Sequence, residues 1–123
     1  MNIKALAESY IRSLESRDWQ DVTDLLSPDV VYEMPQSRER ITGRDKYLQF
    51  NKEYPGDWHL AINRVVADDR HAVIWVNARV GDEPQVANVW LDINDDGQII
   101  RVTDFWPETY EPPANRKHLV ERY

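Results

Sequence analysis

Ile3, Leu6, Ala7, Tyr10, Ile11 and Leu14 recur at the spacing of one helix face, so the chain opens on an amphipathic helix. Asp18 is placed to cap a second helix, and Asp21 falls in its first turn, where the helix dipole favours negative charge. Trp19, Val22, Leu25 and Leu26 form that helix's apolar face, and Ser27-Pro28 predicts its end. Val30 to Met34 reads as a strand stopped by Pro35, followed by a charged, irregular loop from Gln36 to Ile41. Thr42-Gly43-Arg44-Asp45 leads into a third helix, with Tyr47, Leu48, Phe50, Asn51 and Tyr54 on or near one face; Pro55-Gly56-Asp57 ends it. Four strands are predicted after that: Trp58 to Ala67, Ala72 to Val80, Gln85 to Asn94 and Gln98 to Trp106. Their short Asp/Gly connections predict antiparallel hairpins. The element order is α-α-β-α-β-β-β-β, an α+β domain with helices packed into the concave face of a curved antiparallel sheet. Residues 107–123 form a tail in which Pro112-Pro113 starts a short helix. Leu119, Val120 and Tyr123 are its expected contacts, over a pocket mouth or on a partner subunit.

Alternation splits each strand into two faces. Ile74, Val76, Val89, Leu91, Ile93, Ile100 and Val102 form the expected inner face, against the helices. Asp104 and Trp106 continue it in the last strand. The outer face carries Trp75 and Trp90 among Asn77, Arg79, Asn88 and Asp92. Trp, Arg and amides on an outer sheet face suit a protein interface, so a homodimer through that face is expected.

Composition narrows the function classes. At 123 residues, 41% hydrophobic and 30% charged, the chain reads as a single globular domain over residues 1–123. A net charge of −7 with no basic run argues against nucleic acid, and no basic amphipathic face favours a membrane surface. No apolar run is long enough to span a bilayer, and MNIKALAESY has no signal-peptide core, so the cytoplasm is the expected location. The absence of cysteine excludes disulfides and thiolate chemistry. His59, His71 and His118 lack ligand spacing, so no metal is expected.

Three segments, SYIRSLESRDWQDVTDLLSPDVVYEMP, ITGRDKYLQF and NDDGQIIRVTDFWPE, carry a resemblance that covers nearly the whole chain. It resembles the SnoaL-like, polyketide cyclase-related group of the nuclear transport factor 2-like superfamily. The resemblance implies a cone-shaped domain with a pocket between helices and sheet. The superfamily hosts isomerases, cyclases, hydrolases, dehydratases and binding domains, so function rests on the site. By resemblance to ketosteroid isomerase, Tyr10 matches the oxyanion tyrosine, the general-base aspartate falls at Met34, and the second aspartate falls near Val89. Two of those positions are apolar here, which argues against steroid isomerisation by that mechanism.

SnoaL-like cyclases resemble this chain in placing an acidic residue on the pocket side of the late sheet, which here is Asp104. Desolvation would raise its pKa toward a useful range for a general acid or base, and Tyr10 could donate to a developing enolate oxygen. The expected pocket lining is Trp19, Tyr32, Met34, Phe50, His59, Val89, Leu91, Val102 and Trp106. The expected occupant is a small hydrophobic molecule bearing oxygen, with proton transfer beside a carbonyl and no cofactor. Other readings stand beside these. Asp104 could pair with Arg116 or Arg40, Tyr10 could be a core tyrosine, and the domain could bind a ligand or dimerise without catalysis.

Overall fold

The structure, a computed structural model, describes all 123 residues. Helix α1 (Ile3–Ser16) starts where Asn2 accepts a hydrogen bond from the Ala5 amide at 2.9 Å. It ends at Arg17, whose left-handed backbone (φ 60°) returns its N–H to the carbonyls of Ser13 and Leu14. Its expected apolar face is the buried one: Ile3, Ala7, Tyr10, Ile11 and Leu14. Helix α2 (Trp19–Leu25) is capped by Asp18, which accepts from the Asp21 amide at 3.2 Å.

Strand β1 (Leu26–Met34) begins four residues earlier than Val30, directly at the end of α2. Pro28 is tolerated because it lies in an irregular stretch between the paired residues Leu26 and Val31, where no ladder hydrogen bond is required of it. The charged segment expected as a loop contains strand β2 (Glu39–Thr42), antiparallel to β1. Arg40 lies opposite Glu33 and binds it at 2.8 Å, and half-buried Ile41 lies opposite Tyr32. One inward residue among charged neighbours is the pattern of an edge strand, which hides its alternation.

Gly43 (φ 100°) turns the chain into α3 (Arg44–Glu53). Strands β3 (Trp58–Ala67), β4 (His71–Val80), β5 (Glu83–Ile93) and β6 (Ile99–Phe105) follow as hairpins. They form one curved sheet with β1 and β2, in the order β2-β1-β6-β5-β4-β3. All neighbours are antiparallel except β1 and β6, which run parallel. An entirely antiparallel sheet was the expectation; β1 and β6 are joined only through the rest of the domain, so no hairpin fixes their relative direction.

The core is one cluster of 21 buried residues between α1, α3 and the inner faces of β1, β4, β5 and β6. Along β4 and β5 the expected faces hold, with Ile74, Val76, Val89, Leu91 and Ile93 inside and Trp75 and Trp90 outside. β6 corrects the reading: Ile99 is fully buried and Ile100 is 41% exposed. Asp92 pairs with Arg101 but the adjacent Ile93 pairs with Ile99, so Ile100 is an extra residue in a bulge, and the alternation slips by one. Val102 beyond the bulge faces inward as expected. The tail also departs from expectation. It forms only a 3₁₀ turn at Ala114–Arg116, and Leu119, Val120 and Tyr123 face solvent, because so short a turn presents no continuous face to bury. No helix is long and apolar enough to cross a membrane.

The bulge gives a direct test. Ile99→Ala should cost about 2–5 kcal/mol in urea unfolding, as for other buried Ile and Leu truncations, whereas Ile100→Ala should stay within about 0.5 kcal/mol. Equal losses at the two positions would contradict the slipped alternation.

Candidate functional site

The inner sheet face is longer than the helices that cover it. The uncovered part forms a cavity of about 310 Å³ between α1, α3 and the sheet, with a mostly hydrophobic lining. The cross-strand pairs locate its floor. Leu91 and Val102 lie opposite one another and are buried in the core, while the next pair, Val89 and Asp104, lines the cavity.

Tyr10, Tyr32, Met34, Phe50, His59, Val89, Asp104 and Trp106 all line it. Trp19, Leu91 and Val102 do not, contrary to expectation. Leu91 and Val102 sit beneath the floor, and Trp19 packs on the core from α2 with the Lys52 ammonium 5.8 Å from its ring. Sequence reasoning missed Tyr47, Gln36, Asn51 and Trp58 as lining residues. Tyr47 had a signal, because it lies on the apolar stripe of α3 with Phe50 and Tyr54. Gln36 had none, since only the β1–β2 hairpin brings it to Trp106, whose amide donates to Gln36 Oε1 at 2.5 Å.

Asp104 is the polar centre of the cavity and is only 9% exposed. The Tyr32 hydroxyl, supplied by β1 across the parallel β1–β6 pairing, donates to its Oδ2 at 2.5 Å. Its Oδ1 is buried with no hydrogen-bond partner. Burial raises the carboxyl above the usual aspartate range, while the Tyr32 hydroxyl and the Trp106 side chain pull the other way. Asp104 joins no ion pair; Arg40 binds Glu33 instead.

The Tyr10 hydroxyl, from α1, is hydrogen-bonded to that of Tyr47, from α3. Burial raises both phenols above the ordinary tyrosine range, so both keep their protons. Two hydroxyls sharing one hydrogen bond use one proton between them and leave the other free to donate. The Tyr32 phenol is likewise raised by burial, then by the nearby Asp104. Its ring stacks on Tyr47, with centroids 4.6 Å apart. His59 lines the cavity with Nδ1 3.0 Å from Glu15 and Nε2 2.9 Å from Asp57. No three acidic or histidine side chains gather to hold a metal.

A helix-lined curved sheet around a cavity with one buried carboxyl defines the class, and the sequence places the chain within it. The chain belongs to the SnoaL-like domain family, whose profile matches residues 7–106. A crystal structure of a candidate ketosteroid isomerase from Kribbella flavida DSM 17836 is 53% identical, with a TM-score of 0.95 over 98% of this chain and 89% of that one. An NTF2-like protein of unknown function from Burkholderia xenovorans LB400 is 18% identical, with a TM-score of 0.80 over 98% of this chain and 94% of that one. A candidate SnoaL-like polyketide cyclase from Shewanella denitrificans OS-217 is 15% identical, with a TM-score of 0.75 over 85% of this chain and 90% of that one. The last two likenesses show the fold alone. No curated protein matches the sequence.

The carboxyl's environment predicts a pH signature. An unfolded chain ionises Asp104 near about pH 3.9, whereas the folded protein holds that proton to higher pH. Between the two values the native state binds more protons, so this residue's contribution to stability falls as pH rises. Asp104→Asn still accepts from Tyr32 and carries no ionisation penalty. Relative to wild type, the variant should gain stability from pH 3 upward, by about 1.4 kcal/mol per unit of pKa displacement, and level off above the folded pKa. A difference that stays flat across that range in urea unfolding would refute the assignment.

Proposed function

We propose that this chain is a cofactor-independent acid–base enzyme acting on a small apolar, oxygenated molecule. The reaction is proton transfer beside a carbonyl, as in cyclisation, isomerisation or dehydration. The observation that supports it most is Asp104: a carboxyl nine-tenths buried at the cavity floor, with one oxygen held by Tyr32 and the other unpartnered. Burial favours its protonated form, so it can serve as an acid, and the cavity-lining carboxyl can take up or deliver the transferred proton. Tyr10, through the proton that its pair with Tyr47 leaves free, donates to the oxygen that gains charge. Tyr32 positions Asp104.

A second reading has its own support. Met34 and Val89, the positions that resemble the isomerase aspartates, both line the cavity as apolar wall. That favours a domain that binds a small hydrophobic ligand, or dimerises, without chemistry. In either case the functional unit is the single domain 1–123 in the cytoplasm, as a homodimer through the outer sheet face. Trp75 and Trp90, 43% and 50% exposed, are the apolar anchors of that interface.

With an identified substrate, Asp104→Asn should lower kcat by roughly 10²–10⁴-fold and Tyr10→Phe by roughly 10²–10³-fold. Unchanged turnover in both variants would refute Asp104 and Tyr10 as the catalytic groups. Light scattering at micromolar concentration should show a dimer that Trp75→Glu and Trp90→Glu dissociate; a monomeric wild-type chain would exclude the outer-face assembly.

A further inference from the structure

Asp104 Oδ1 makes no hydrogen bond in the structure, and beside Tyr32 only the Trp106 side chain acts on the carboxyl as a donor. It is buried, unpartnered, and part of a carboxyl that is nine-tenths buried in a cavity. Its surroundings are aromatic. Tyr10 from α1, Tyr32 from β1, Tyr47 from α3 and Trp106 beyond β6 are the side chains that act on it or feel its charge. Neither arginine nor lysine binds it, and the cations nearest the cavity are otherwise engaged. His59 lies between Glu15 and Asp57, and the exposed Arg79 donates to the Gly81 carbonyl.

Three ligand chemistries can meet a carboxyl in the cavity lining. An anion is disfavoured, since it would face Asp104 with no compensating cation on the cavity floor. A carbonyl can accept from the protonated carboxyl through one neutral hydrogen bond. A protonated amine does more: it donates a charge-assisted hydrogen bond to the carboxylate and places its charge among aromatic rings, which attract cations. The chain's net charge of −7 favours a cation before contact as well.

We propose that the cavity recognises a small apolar compound bearing a basic nitrogen, bound as its ammonium ion with an N–H on the Asp104 carboxyl. This rests on the acid–base reading only in taking Asp104 as the group that meets the ligand. Binding has a proton balance. Burial raises the pKa of Asp104 in the empty cavity, so the carboxyl is neutral below that folded value. The ammonium keeps its proton, the Asp104 carboxyl gives its own to the buffer, and a carboxylate–ammonium pair remains. One proton is therefore released per ligand below the folded pKa of Asp104, and affinity rises with pH until that value is passed. The phenols that face Asp104 are all raised by burial, so they keep their protons through this range.

Three probes of one shape test it on the full chain: N,N-dimethylbenzylamine, its hydrocarbon isostere isobutylbenzene, and the ketone isobutyrophenone. Affinities come from chemical-shift titration, and proton release from calorimetry in two buffers of different ionisation heat. The amine should bind at least about tenfold more tightly than isobutylbenzene, a difference of about 1.4 kcal/mol, with proton release at low pH. In Asp104→Asn, shown to be folded by its amide spectrum, amine preference and proton release should vanish while isobutylbenzene affinity is kept. Equal or tighter binding of isobutylbenzene overturns the proposal, as does amine binding that survives the substitution or a failure of all three probes at millimolar concentration. A ketone preference that depends on Asp104 also overturns it, but leaves the acid–base reading intact.

Discussion

The inner face of β4, β5 and β6 must stay out of water, and it shares one buried core with α1, which packs mainly on β3 and β4. Ile74, Val76, Leu91, Ile99 and Val102 are almost fully buried in the same cluster as Ala7, Tyr10, Ile11 and Leu14 of the helix. Burying an aliphatic side chain of this kind contributes on the order of 1.5–3 kcal/mol. That cluster fixes the register of three strands and the seat of the helix together. A one-residue slip in any strand would turn its apolar residues to solvent. The bulge at Ile100 is an instance of the same constraint: one extra residue is accommodated so that Ile99 and Val102 both remain inside.

The cavity follows from a mismatch between two surfaces. Strands β3, β4 and β5 run 10 or 11 residues, roughly 33–37 Å, whereas the 14 residues of α1 span about 21 Å, and the cavity lies between α1, α3 and the sheet. Aromatic rings from α3 and β1 narrow the hollow without filling it, as the Tyr32–Tyr47 stack and the neighbouring Phe50 show. Into this low-dielectric space the fold places one carboxyl with no cation beside it. An unpaired buried charge costs far more than a neutral group, so Asp104 holds its proton to higher pH than a free aspartate. The chemistry open to the site comes from that displaced equilibrium, because a protonated carboxyl can donate as well as accept.

The chain belongs to the SnoaL-like family and is 53% identical to a candidate ketosteroid isomerase, and Met34 and Val89 line its cavity as apolar wall. Two acidic side chains line the cavity, the buried Asp104 on β6 and the exposed Glu108 beyond it. The buried carboxyl and its tyrosine partner come from the one parallel pair of strands in the sheet.

Local pattern carried most of the architecture. The α1 face, the Asp18 cap, the Trp58–Ala67 strand and the inward residues of β4 and β5 were legible because each depends on neighbours a few positions away. Asp104 and Tyr10 stood out as polar groups on apolar faces for the same reason. What the sequence could not show depends on distant partners. Strand β2 is visible only through its pairing with β1, and the inward residue of early β6 only through the bulge against β5. The bond from Tyr32 to Asp104 spans 72 positions, and the Tyr10–Tyr47 bond spans 37. Periodicity decides which face a side chain takes. Only closure of the sheet around its helices decides which side chains from different elements meet, and that meeting sets the protonation of the carboxyl.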